Sequence, residues 1–214
     1  MNKIKKELKN LTKKYELIGN SIPEFEKRKK WLYFSIYGKL TEDFINEFQD
    51  FVFWKEISRY QNLSLDFIRK FQDFVGWEEI SIYQKLSKDF MVEFEDRIDW
   101  FFVFMHQKLS ENFIRKFQNK SNWNSVFQGQ KLSEDFIREF KDKINWEDVF
   151  RHQKLSENFI REFIDKVDWY NIAKYQKLSE KFILEFENKM NLFLIFKYQK
   201  LSKGFVAKLK KQLS

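Results

Sequence analysis

His106 and His152 are the two histidines of this 214-residue chain, which contains no cysteine. Metal ligation or general acid–base chemistry would have to start from them. They stand two copies apart in a sequence that repeats every 23 residues, and a straight stack of helices would hold them about 20 Å apart, too far to share a metal ion. Both take the place that Tyr60, Tyr83, Tyr175 and Tyr198 hold in other copies, so each reads as a tyrosine substitute at a helix end. No paired histidines and no glycine-rich phosphate loop remain for an enzyme to use. The expectation is a noncatalytic protein with no catalytic residues, metal or cofactor.

Three other sets of residues offer binding chemistry. Gln61, Gln84, Gln107, Gln130, Gln153, Gln176 and Gln199 form an unbroken column. Their amides could read a ligand, but the stronger expectation is that they satisfy carbonyls at a helix end or backbone groups in the following turn. Basic residues are unevenly spread: the net charge of +8 divides into +7 over residues 1–39, −3 over 40–200 and +4 over 201–214. In the repeats Glu134, Arg138 and Asp142, like Glu157, Arg161 and Asp165, stand four residues apart on one helix, where each arginine meets intrahelical carboxylates. A continuous phosphate track is therefore disfavoured. Lys5, Lys6, Lys13 and Lys14 in the basic N-terminal segment remain candidates for nonspecific contact with nucleic acid or anionic lipid. Finally, Phe101, Phe102, Tyr170, Phe51 and Phe74 exceed what the repeat pattern needs for its core. They mark either an apolar partner-binding surface or local repacking between copies.

The elements that position these residues follow from the period. Leu40, Leu63, Leu86, Leu109, Leu132, Leu155, Leu178 and Leu201 are spaced by 23 residues without insertion or deletion. In the copy beginning "KLSEDFIREFKDKINWEDVFRHQ", Phe136, Ile137, Phe140 and Ile144 form a helical stripe and Ser133 is its N-cap. Leu132 before the cap and Ile137 four residues after it make a hydrophobic staple. Asn145 caps a second stripe of Trp146, Val149, Phe150 and Gln153. Each copy thus predicts a helix-turn-helix hairpin of roughly ten plus eight residues, too small to stand alone, so that neighbours must share their apolar faces. All seven tryptophans recur at one position and are expected in the core.

The fold class is therefore all-α: a right-handed-type α-solenoid with atypical capping ends. Residues 1–16 form a basic amphipathic N-terminal helix or cap, and 17–214 a single solenoid. That solenoid comprises a degenerate repeat (17–39), seven repeats (40–62, 63–85, 86–108, 109–131, 132–154, 155–177 and 178–200) and a C-terminal cap (201–214). Lys29 and Lys30 replace the usual apolar residue and cap in the degenerate copy. No apolar run is long enough to span a bilayer, no signal peptide is present, and the lack of cysteine suits a reducing, intracellular compartment.

The strings "KLSEDFIREFKDKINW" and "KLSENFIREFIDKVDW" resemble tandem repeats in uncharacterised proteins of giant DNA viruses that infect amoebae. The resemblance covers about residues 40–200 and implies the repeat fold and a host-cytoplasmic setting, with no activity or site residues to carry over. The function expected is a monomeric protein-interaction scaffold for a host or viral protein. The alternative is nucleic-acid binding through the basic N- and C-terminal ends.

Overall fold

The computed structural model describes Lys6, residues 23–120 and residues 122–212. Apart from Lys6, which is helical and exposed, the expected N-terminal helix lies outside the described residues. The chain divides into two units, Met1–Gln107 and Lys108–Ser214, and no strand occurs among the described residues. The first unit contains α1 (Glu24–Tyr37), α2 (Glu42–Glu47), α3 (Trp54–Tyr60), α4 (Leu65–Lys70), α5 (Trp77–Tyr83), α6 (Lys88–Glu93) and α7 (Trp100–His106). The second contains α8 (Glu111–Lys116), α9 (Trp123–Gly129), α10 (Glu134–Glu139), α11 (Trp146–His152), α12 (Glu157–Glu162), α13 (Trp169–Tyr175), α14 (Glu180–Glu185), α15 (Leu192–Tyr198) and α16 (Lys203–Gln212).

Each unit is an α-solenoid of stacked helical hairpins. Successive second helices lie side by side: α1 on α3, α3 on α5 and α5 on α7 in the first unit; α9 on α11, α11 on α13 and α13 on α15 in the second. The stack buries a Phe–Ile or Phe–Met pair from every first helix, such as Phe67 and Ile68, Phe90 and Met91, or Phe136 and Ile137. One β-branched residue from every second helix after α1 meets them, for example Ile80, Val149 and Ile172, and α1 places Phe34 there. At the end of the second unit, α16 closes the core with Phe205 and Leu209.

Local chemistry sets the helix boundaries. Thr41, Ser64, Ser87, Ser110, Ser133, Ser156 and Ser179 each accept the N–H of the phenylalanine three residues on, the N-cap geometry expected from the sequence. The first helices are shorter than the stripe implied, six residues or about 9 Å. Each ends at a phenylalanine with φ near −110°, such as Phe71 or Phe140. In the early repeats the carbonyl of this residue takes two later N–H groups: Phe71 O accepts from Phe74 and Val75. This tightens the chain into a turn, and in some copies into a 3-10 turn such as Ile164–Lys166. Ile144 consequently lies past its helix, packed against the core from the turn. Second helices restart at Asp99, Asn122, Asn145, Asp168 and Asn191, whose side chains cap the new N-termini.

In the degenerate repeat the described residues form one continuous 14-residue helix, α1, from the N-cap Pro23. Lys29 and Lys30 supply neither the apolar turn residue nor the capping side chain that would split it, and both are good helix formers.

Within each unit, tryptophans couple one hairpin to the next. Trp54 lies 6.3 Å from the ring of Phe67 in the following first helix and 4.9 Å from Phe71 at its C-cap. Trp123 meets Phe140 at 4.7 Å and Trp146 meets Phe163 at 4.6 Å in the same way. Only Trp31 and Trp100 are fully buried; the others keep one edge wet. The indole N–H of Trp54, Trp77 and Trp100 donates to the carbonyl five residues earlier, in the turn, whether the ring is buried or half-exposed. We expect Trp123→Ala to cost about 3 kcal/mol, because it removes the ring joining α9 to α10. A urea denaturation series with tryptophan fluorescence as the probe would test this, and a loss below about 1 kcal/mol would exclude the coupling role.

Candidate functional site

His106 and His152 end α7 and α11, one in each unit, and both are exposed. His106 stacks on Phe102 with ring centroids 6.1 Å apart. Among the described residues no group of three or more His, Asp or Glu side chains is arranged to hold a metal.

The glutamine column is structural, and its partners are more specific than the sequence implied. The Gln84 amide donates to Ser58 O and Gln61 O, the terminal carbonyls of the preceding second helix, at 2.8 Å each. Its carbonyl oxygen accepts the N–H of Leu63 at 3.2 Å, in the turn that opens its own repeat. Gln107, Gln153, Gln176 and Gln199 repeat this three-bond pattern. A second inter-repeat bond lies beside it. Glu111, Glu134, Glu157 and Glu180, at the first position of their helices, accept the backbone N–H of Ser133, Ser156, Ser179 and Ser202 one repeat later. This is a capping box divided between neighbours.

The arginines have partners the sequence reading missed. Arg138 contacts Glu134 and Asp135 on its own helix, but its guanidinium also spans to Glu162 in the next repeat at 2.9 Å. Arg161 reaches Glu185 at 2.7 Å, and Arg69 reaches Glu93 at 2.8 Å. Asp142 and Asp165 are not their partners, because the chain has already left the helix; Asp165 pairs with Lys166 at 3.0 Å. Each guanidinium also covers the next repeat's buried phenylalanine, as Arg138 does with Phe159 at 5.0 Å. Hydrogen bonding to Glu93, Glu162 and Glu185 raises Arg69, Arg138 and Arg161 above the ordinary arginine value, and Arg161 in turn holds Glu185 below the usual carboxylate range.

The surplus aromatics separate into three settings. Phe51 and Phe74, 58% and 54% exposed, occupy successive repeats of the first unit and lie over the indoles of Trp31 and Trp54 at 5.5 Å. They are thus both repacked against the stack and open to solvent. Later copies place Lys120, Lys143, Lys166 and Lys189 at this position, and Lys189 lies 5.9 Å from the Trp169 ring. Phe101 is 38% exposed and meets half-buried Phe102 edge to face at 5.2 Å. Tyr170 belongs to the second unit and stands beside Lys174 on the outer surface of α13. Of the N-terminal lysines, Lys5, Lys13 and Lys14 lie outside the described residues.

Sequence reasoning missed the lysine that follows every column glutamine after Gln61. Lys85, Lys131, Lys154, Lys177 and Lys200 are exposed and, among the described residues, make no ion pair. The recurrent "QK" dipeptide carried that signal, but the negative balance over residues 40–200 concealed it. No helix among the described residues is long and apolar enough to cross a membrane. Comparison with family models, curated proteins and solved structures finds no match.

Two outcomes follow. Gln84→Leu would leave two helix-end carbonyls and the Leu63 N–H without partners, a loss of about 3 kcal/mol; denaturant melts together with faster hydrogen exchange at Leu63 would register it, and an unaltered Leu63 amide would count against it. Because its folded pKa is depressed, Glu185 contributes stability that is present above the ordinary carboxylate pKa and lost as pH falls through the lowered value. Carboxyl NMR titration of Arg161→Gln should show Glu185 rising to the ordinary range.

Proposed function

We propose that this protein is a noncatalytic protein-interaction scaffold, a monomer working in the host-cell cytoplasm and engaging a host or viral protein. The reading is supported chiefly by the row formed by Phe51 on Trp31 and Phe74 on Trp54. These phenylalanines join Phe48 and Phe71 on the tryptophan rings, yet hold large apolar surfaces in water. A partner covering both would gain about 2 kcal/mol for each ring, and flat aromatic anchors supported from below lose little entropy on binding. Phe101 and Phe102 on α7 extend the aromatic surface available in the first unit. The glutamine, serine and arginine columns are engaged in joining repeats and so are poorly placed for turnover chemistry.

The test is affinity purification from the host with quantitative mass spectrometry, using the wild-type chain, Phe51→Ser with Phe74→Ser, and Phe101→Ser with Phe102→Ser. Thermal melts are run on all three, because Phe51 and Phe74 rest on Trp31 and Trp54 and Phe102 is half-buried, and recovery is compared at a temperature where each is folded. We expect the Phe51/Phe74 variant to recover its principal partner at least tenfold less well. Equal recovery by wild type and both variants would reject the aromatic surface as the binding face.

A further inference from the structure

The edge of the second unit formed by the C-terminal ends of α13 and α15, with the turns that follow them, alternates cations and flat rings. The Lys174 ammonium lies 4.9 Å from the ring centroid of Tyr175 and 5.8 Å from that of Tyr198 in the next repeat, so one cation spans adjacent rings. Lys197 lies 5.3 Å from Tyr198. In the two turns, Lys177 and Lys200 are exposed and have neither ion pair nor hydrogen bond among the described residues. Acidic groups on the adjoining segments are already engaged. Glu157 and Glu180 accept backbone N–H groups from Ser179 and Ser202, and Asp168 caps α13. Hydrogen bonding to Tyr175 and Tyr170 raises Lys174 above the ordinary lysine value, which keeps it cationic.

We propose that this edge binds single-stranded nucleic acid, with bases stacked on Tyr175 and Tyr198 and phosphates held by Lys174, Lys177, Lys197 and Lys200. Charge complementarity supplies the attraction, and the rings select the occupant. Exposed tyrosine faces can stack any unpaired base, whereas a duplex hides its base faces and offers mainly phosphate. An acidic polypeptide would satisfy the lysines and leave the rings without a role. Neighbouring helices spaced by roughly 8–10 Å also suit one nucleotide per repeat, a match that helical repeats can achieve. The site lies in the other unit from Phe51 and Phe74 and stands independently of the protein-scaffold reading.

The full chain is titrated by fluorescence anisotropy with labelled oligothymidylate, a duplex of equal length and labelled polyglutamate, each at several salt concentrations. Oligothymidylate should bind tightest. Tyr175→Ala with Tyr198→Ala should weaken it about tenfold or more for each ring, while Tyr175→Phe with Tyr198→Phe keeps the affinity and so separates stacking from folding. Replacing the four lysines with glutamine should reduce the slope of log affinity against log salt by about 3. No binding at low salt would overturn the proposal. So would equal affinity for the three probes, or binding indifferent to Tyr175→Ala with Tyr198→Ala, which would assign the attraction to basic segments elsewhere, such as that containing Lys5, Lys6, Lys13 and Lys14.

Discussion

Helices of six and seven residues leave most of their backbone groups without a partner inside the helix, since the first four N–H and last four C=O groups of any α-helix are orphans. The stack exists because side chains from the adjoining repeat supply those partners. Gln84 ties two helix-end carbonyls of one repeat to the opening N–H of the next, and Glu134 completes the Ser156 cap from the preceding repeat. The glutamine bonds are buried, so leaving any of them unmade would cost more than the bond itself contributes. A slip of one residue would break all of them together. The 23-residue spacing is thereby a hydrogen-bond constraint as well as a packing repeat.

Charge is segregated on this frame. The first helices carry Arg69, Arg115, Arg138 and Arg161, each joined to a glutamate in the next repeat. These exposed pairs contribute modestly alone, but each guanidinium also covers an otherwise buried phenylalanine. The turns that follow the second helices carry lysines outside this network. Summing charge over the repeats therefore gives a small negative value while one edge of the second unit remains cationic, a distribution that net charge cannot express.

Aromatic residues show the same division of labour. Phenylalanines at the third position of the first helices and tryptophans of the second helices are joined ring to ring, as Trp54 is to Phe67 and Trp146 to Phe159, beside a core of Ile, Val, Leu and further Phe. Where the period varies, the ring is freed for other use. Phe51 and Phe74 cover their tryptophans with an apolar face, and lysines replace them in later copies. Variation at a single register position thus changes the surface character between units while the core beneath is unchanged.

The hairpin architecture, the serine caps, the leucine staples and the tryptophan column were legible from the sequence, because they depend on contacts within one period or on patterns of 3.6 residues. The two histidines were likewise legible as tyrosine substitutes. Three features were not. The first helices stop early at residues such as Phe140, since the turn is set by packing of that ring on Trp123 rather than by a breaker residue. The arginines choose glutamates 24 residues away, and no helical periodicity points to such partners. The edge containing Lys174, Tyr175 and Tyr198 exists only once neighbouring repeats are placed side by side. Local propensity determined the unit and its copy number; the stacking of one unit on the next decided which polar groups were consumed and which were left facing water.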